Sequence, residues 1–178
     1  MQKNSLIDNE LYHLVPELLK YFVHCSNMLS NSDWEFPGDQ ARGADSNSRA
    51  NFNKLVTEFR YEINAESEAS GKRRLLVTSA VAADPKKIND GYVVRNLCEQ
   101  LDYVSVMTYD YHGGTWDDST GLNSPLYSRN GDSSTIAAWK NANFSINYWI
   151  SKGCHPQKIN LGLASYGKFR RTSYFSKK

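Results

Sequence analysis

At 178 residues the chain is long enough for one globular domain with a real core. With 40% apolar residues, 22% charged residues and a net charge of +2, it lacks the basic footprint expected of a nucleic-acid or membrane-surface binder; its longest basic run is "KRR" at 72 to 74. No stretch is long enough to span a bilayer, and the start, "MQKNSLIDNE", has no signal-peptide apolar core.

Cys25, Cys98 and Cys154 show no CxxC spacing and the four histidines are scattered, so a zinc site is not expected. An odd cysteine count leaves room for at most one internal bridge, with the pairing open. Aromatic residues make up 12%, more than a core alone usually needs; sugar-binding sites use such rings, and so do cores.

In chain order, "ELYHLVPELLKYFVHC" places Leu11, Leu14, Val15, Leu18, Leu19, Phe22 and Val23 at helical spacing, with Pro16 limiting the first turn. "SNMLSNS" reads as a poor strand, so residues 1–32 are expected to be a helical and loop segment, with residues 1 to about 30 supplying no well-paired strand. "PGDQARGADSNS" is a loop. Phe52, Leu55, Val56, Phe59 and Ile63 then share one helical face, with Ser48 the expected N-cap and Gly71 the stop. "RLLVTSAV" is a buried strand, "DGYVVRNLCEQL" one short helix and "DYVSVMTY" a second strand. A polar loop runs from Asp110 to about Asp132. An amphipathic helix over "SSTIAAWKNANFSINYWISKG" carries Trp139 and Trp149 as packing residues and ends at Gly153. It also holds a single N-glycosylation tripeptide, "NFS" at Asn143. "KINLGLASY" is a third strand.

Helices alternating with strands that are apolar on both faces imply a parallel sheet or barrel, an α/β fold. Such folds carry their sites at the C-terminal ends of strands. Met107, Tyr109 and Asp110 follow one strand and Tyr166 follows another; Asp33 and Glu35 join them if a strand ends there. Residues two apart on a strand point the same way, so Asp33 and Glu35 would face one cavity. Two carboxylates at close range resist joint ionisation, and the one that stays protonated can act as a general acid. Carboxylates rimmed by aromatic rings suit glycoside hydrolysis.

"DWEFPG", "TSAV", "LDYVSVMTYDYHGGTW", "TGLNSPLY" and "INLGLASYGK", in this order, resemble the chitinases of glycoside hydrolase family 18 from about Asp33 to Lys168. The resemblance implies a (β/α)8 TIM-type barrel, here a partial one over 33–178 that covers strands four to seven. It implies substrate-assisted hydrolysis of β-1,4-linked N-acetylglucosamine, with chitin or chitooligosaccharides as partners, no cofactor, and an extracellular location. Carried over, Glu35 is the acid, Asp33 holds the substrate acetamide and Tyr109 bonds its oxygen. Trp34, Met107, Asp110 and Tyr166 line the sugar site.

The family motif D-x-x-D-x-D-x-E reads Met28, Asn31, Asp33 and Glu35 here, so its first two acids are missing. Nothing resembles strands one to three, and the family pattern fades after the seventh strand. Weak hydrolysis is therefore expected, with oligosaccharide binding surviving better. The second reading is a non-catalytic chitin-binding protein of the same fold.

Overall fold

The computed structural model describes residues 30–113, 121–128 and 138–168. The helix expected before Val23, Cys25 and Trp116 lie outside them. The described chain is α/β: four parallel strands, β1 (Ser30–Ser32), β2 (Val77–Val81), β3 (Tyr103–Val106) and β4 (Ile159–Leu161), lie side by side in sequence order. Between them run α1 (Ser48–Ser70), then α2 (Pro85–Gly91) and α3 (Val94–Gln100), then α4 (Ala142–Ser151). Among the described residues no helix is long and apolar enough to cross a membrane.

The strand over Ser30–Ser32 corrects the expectation for "SNMLSNS". Three polar residues form it because a parallel ladder needs only backbone groups, and β2 supplies them: Ser30, Asn31 and Ser32 pair with Val77, Thr78 and Ser79. Ser79 Oγ also donates to the Ser32 carbonyl at 3.1 Å. β2 and β3 form the buried centre of the sheet, where Val77, Val81, Val104 and Val106 pack in the core.

α1 buries Phe52, Val56 and Ile63, with Leu55 and Phe59 against the same cluster, which is the face read from the sequence. Its N-terminus differs by one residue. Asn47 is the cap and Ser48 the first helical residue; the Ser48 hydroxyl donates to Asp45 Oδ1 and accepts from the Asp45 N–H, both at 2.9 Å. Gly71 ends the helix at φ 67°, its N–H donating to the Ser67 carbonyl. This left-handed position predicts that Gly71→Ala destabilises the fold by about 1–2 kcal/mol in urea denaturation.

The short helix expected over "DGYVVRNLCEQL" is α3, trimmed to Val94–Gln100, and α2 is a further helix just ahead of it. Asp84 caps α2 by accepting from the Lys86 N–H at 2.7 Å, with Pro85 in the first turn. α2 stops at Gly91, and Tyr92 turns extended so that its buried hydroxyl accepts from the Ala82 N–H at 3.2 Å. Gly38 packs on the end of α2 so closely that a Cβ there would stand 2.4 Å from the Asp90 carbonyl carbon. α4 also starts later than expected: Asn141 is its cap, accepting from the Phe144 N–H at 2.9 Å, and Trp139 lies ahead of it in a turn.

The N-terminal edge of the sheet is held by ions. Asp102, just before β3, takes Arg60 at 2.8 Å, Arg74 at 2.6 Å and the Val77 N–H at 2.8 Å. Lys158 donates to the last carbonyls of α3 and its cap, Cys98 and Leu101, at 2.7 and 2.8 Å. A Cys98–Cys154 disulfide ties α3 to the turn before β4. These anchors leave the opposite, C-terminal edge to the loops.

Candidate active site

All four strands deliver residues to one cavity of about 940 Å³ at their C-terminal edge. Asp33, Glu35 and Phe36 come from the chain leaving β1, and Ala82 and Ala83 from the end of β2. Met107, Tyr109, Asp110 and Tyr111 follow β3, and Tyr166 follows β4. Six of the seven sequence-derived site residues thus line a single space. Trp34 is the exception: its ring stands edge-on to Phe52 of α1 at 5.9 Å, and it does not line the cavity.

The wall below the rim is pinned from behind. Trp149 Nε1 donates to the Ala82 carbonyl at 2.9 Å. Ser145 Oγ donates to the Ala83 carbonyl at 2.9 Å and shares a 2.7 Å hydrogen bond with Tyr111 Oη. Burial pushes the Tyr111 phenol up to about 12 and the Tyr92 phenol higher still. Both therefore stay neutral hydrogen-bonding groups across physiological pH.

On the rim, burial pushes the Tyr109 phenol above its ordinary range, and the negative charges of Asp33, Glu35 and Asp110 push the same way. Tyr109 is therefore a lasting O–H donor facing carboxylates. Its ring stands edge-on to Tyr166, with centroids 6.0 Å apart. Tyr166 donates to Asp110 Oδ1 at 2.6 Å; burial first, then this bond, push its phenol up to about 12.

Asp110 itself sits at φ 60°, a conformation uncommon outside glycine, and its N–H donates to Asn123 Oδ1 at 3.1 Å. Burial alone would push its carboxyl up. The Lys168 ammonium at 2.6 Å and the Tyr166 hydroxyl outweigh that and hold it below 3.8. The ion pair accordingly adds stability above pH 3.8 and loses it as pH falls through the lower folded value. Lys168→Met is expected to move the Asp110 titration upward in a carboxyl NMR titration and to narrow the acid-stable range.

Glu35 is half-exposed and meets a residue the sequence did not single out. Arg42 Nη1 lies 3.3 Å from Glu35 Oε2. The Pro37–Gly38 turn brings it there: the Asp39 N–H donates to the Phe36 carbonyl, and a 3-10 turn over Gln40–Arg42 folds the chain back. That turn was legible, but nothing periodic marks the arginine. Arg42 and Lys87 also flank the Phe36 ring, at 5.5 and 4.3 Å from its centroid. Trp139, read as a helix packing residue, lines the cavity and meets Tyr111 edge-on at 6.1 Å. Asn141 as a cap was the signal that would have placed it outside the helix. Trp149 is fully buried, the packing residue expected.

The sequence model of Glycosyl hydrolases family 18 matches residues 31–176. Chitotriosidase-1 of Mus musculus is 38% identical over 136 residues, 76% of this chain and 28% of that protein. The oviduct-specific glycoprotein of Sus scrofa is 37% identical over 142 residues, 80% of this chain and 25% of the other. The chain thus spans about a quarter of the length of these relatives. Among solved structures, an immunomodulatory active chitinase from Trichuris suis matches with a TM-score of 0.77 at 34% identity, covering 87% of this chain and 40% of that one. Human YKL-39, a pseudo-chitinase with retained chitooligosaccharide binding properties, matches with a TM-score of 0.77 at 25% identity, covering 90% of this chain and 43% of that one. Sequence and fold agree over the same stretch that builds the cavity, and the chain belongs to glycosyl hydrolases family 18.

Proposed function

We propose that the cavity takes β-1,4-linked N-acetylglucosamine and that the chain forms strands four to seven of a (β/α)8 barrel. The convergence of Asp33, Glu35, Tyr109, Asp110 and Tyr166 on one rim is the observation that carries this reading. In it, Glu35 protonates the glycosidic oxygen as the C1–O bond breaks. The substrate's acetamido oxygen closes on C1, giving an oxazolinium ion. Asp33 accepts from the acetamido N–H and offsets the positive charge; Tyr109 donates to the acetamido oxygen. Water then opens the ion at C1 and returns a proton to Glu35, so the anomeric configuration is retained. Met107, Asp110 and Tyr166 shape the sugar site next to the cleavage point. The Cys98–Cys154 disulfide supports folding in an oxidising compartment, in keeping with an extracellular location.

A specific observation favours the second reading, a binder without turnover. Arg42 Nη1 lies 3.3 Å from Glu35 Oε2 and competes with the glycosidic oxygen for one of the two carboxyl oxygens. The sequence adds that Asn31 stands where the family has an acid, and an amide cannot take up a proton as a carboxylate can. Turnover is therefore expected to be weak and binding to outlast it. Hydrolysis of a fluorogenic chitotrioside, measured beside calorimetric binding of chitotetraose, tests both readings. A folded chain that neither binds nor cleaves overturns them together. Binding without cleavage, even in Asn31→Asp, leaves the binder.

A further inference from the structure

We propose that Asn143 is an N-glycan acceptor and that its modification has to precede the docking of α4 onto the sheet. This rests on the extracellular location proposed above, and on nothing about the cavity's ligand. "NFS" at 143 to 145 has the acceptor pattern, and the structure splits its two working groups. Asn143 is exposed in the first turn of α4. Its Oδ1 accepts from Asn147 Nδ2 at 3.1 Å, and the same Nδ2 donates to the Asn143 carbonyl at 2.8 Å. That second bond requires the Asn147 atom to be nitrogen, so the Asn143 atom facing it is oxygen. The bond from Asn147 thus falls on Oδ1 and not on Nδ2, the atom to be modified.

Beside it lies an open groove of about 340 Å³ lined by Asn143, Asn147, Phe144 and Tyr148 among others. The Phe144 and Tyr148 rings stack at 5.9 Å with 14° between their planes. Flat rings flanked by amides suit the first two N-acetylglucosamine units of an N-glycan, which offer apolar ring faces and acetamides.

The other half of the acceptor is inaccessible. Ser145 is fully buried, and its hydroxyl is committed to the Ala83 carbonyl and Tyr111 Oη. A transferase that must read the asparagine and this hydroxyl together cannot do so once α4 has docked. The donor is a lipid-linked oligosaccharyl diphosphate. The Asn143 Nδ2–C1 bond forms, the C1–O bond to the diphosphate breaks, one amide proton is released and the lipid diphosphate leaves. The Cys98–Cys154 bridge, which closes next to the end of α4, helps set when the window shuts.

The test is translation of the full chain behind a cleavable signal sequence in microsomes. One discrete upward mobility step is expected, removed by N-glycosidase and absent from Asn143→Gln. Dithiothreitol during translation, which delays closure of Cys98–Cys154, is expected to raise the modified fraction. Purified folded chain given the same transferase and donor is expected to stay unmodified, whereas urea-unfolded chain with reduced cysteines accepts the glycan. No mobility step, with or without reductant, overturns the acceptor assignment. Folded and unfolded chains modified at equal rates overturn the order of events. Either result is independent of chitooligosaccharide binding and leaves the proposed function to its own test.

Discussion

Turnover of a chitooligosaccharide by Glu35→Gln is expected to fall by roughly 10²–10⁴-fold, the range that a general acid supplies. Its dissociation constant is expected to stay within a few-fold of the unmodified chain. Glutamine keeps the shape and loses only the transferable proton. The walls that hold the sugar, Tyr109 and Tyr166 on one side and the Ala82–Ala83 segment on another, do not depend on Glu35. The Arg42 contact at Glu35 Oε2 is exposed, so its loss has little effect on stability. Steady-state kinetics beside calorimetry separates the two effects. Equal loss of binding and turnover would make Glu35 a ligand-binding group and not the acid. Turnover unchanged in the glutamine variant would remove it from the chemistry altogether.

A comparable free energy is expected from a residue behind the cavity. Trp149 is fully buried, stands 5.3 Å from the Tyr92 ring and donates to the Ala82 carbonyl. Trp149→Ala should cost about 3–5 kcal/mol in urea denaturation, the range for an emptied aromatic site in a packed core. Trp149→Phe should cost less, because most of the apolar volume stays and the main loss is the partner of one carbonyl, about 1–3 kcal/mol. The Ala82 carbonyl belongs to the cavity wall, so both variants should also weaken chitooligosaccharide binding relative to their stability loss. A Trp149→Ala chain as stable as its parent would mean that α4 does not fasten this wall.

By itself the sequence determined the alternation of helices and strands, the buried face of α1 and the residues that crowd the strand ends. Those features are local. Phe52, Val56 and Ile63 repeat at the helix period, and Val77, Val81, Val104 and Val106 sit in short apolar runs. The acids and phenols of the cavity are also near neighbours in the chain: Asp33 with Glu35, and Tyr109 with Asp110. Their motifs resemble one family closely enough to name it.

Tertiary structure alone decided the rest, because those interactions join residues that no local pattern links. Ser30–Ser32 has no apolar signal and becomes a strand through backbone bonds to β2, some 47 residues away. α2 has no periodic apolar signal in "PKKINDG", and it ends where the Tyr92 hydroxyl reaches back to accept from the Ala82 N–H. Trp139 leaves the helix for the cavity because Asn141 caps α4. Arg42 meets Glu35 only after a turn closes, and Lys168 and Tyr166 hold Asp110 across more than fifty residues. Trp34 shows the converse. It sits inside the most chemical stretch of the sequence, yet it packs on Phe52, because the direction of a ring is set by the apolar neighbours that three dimensions supply.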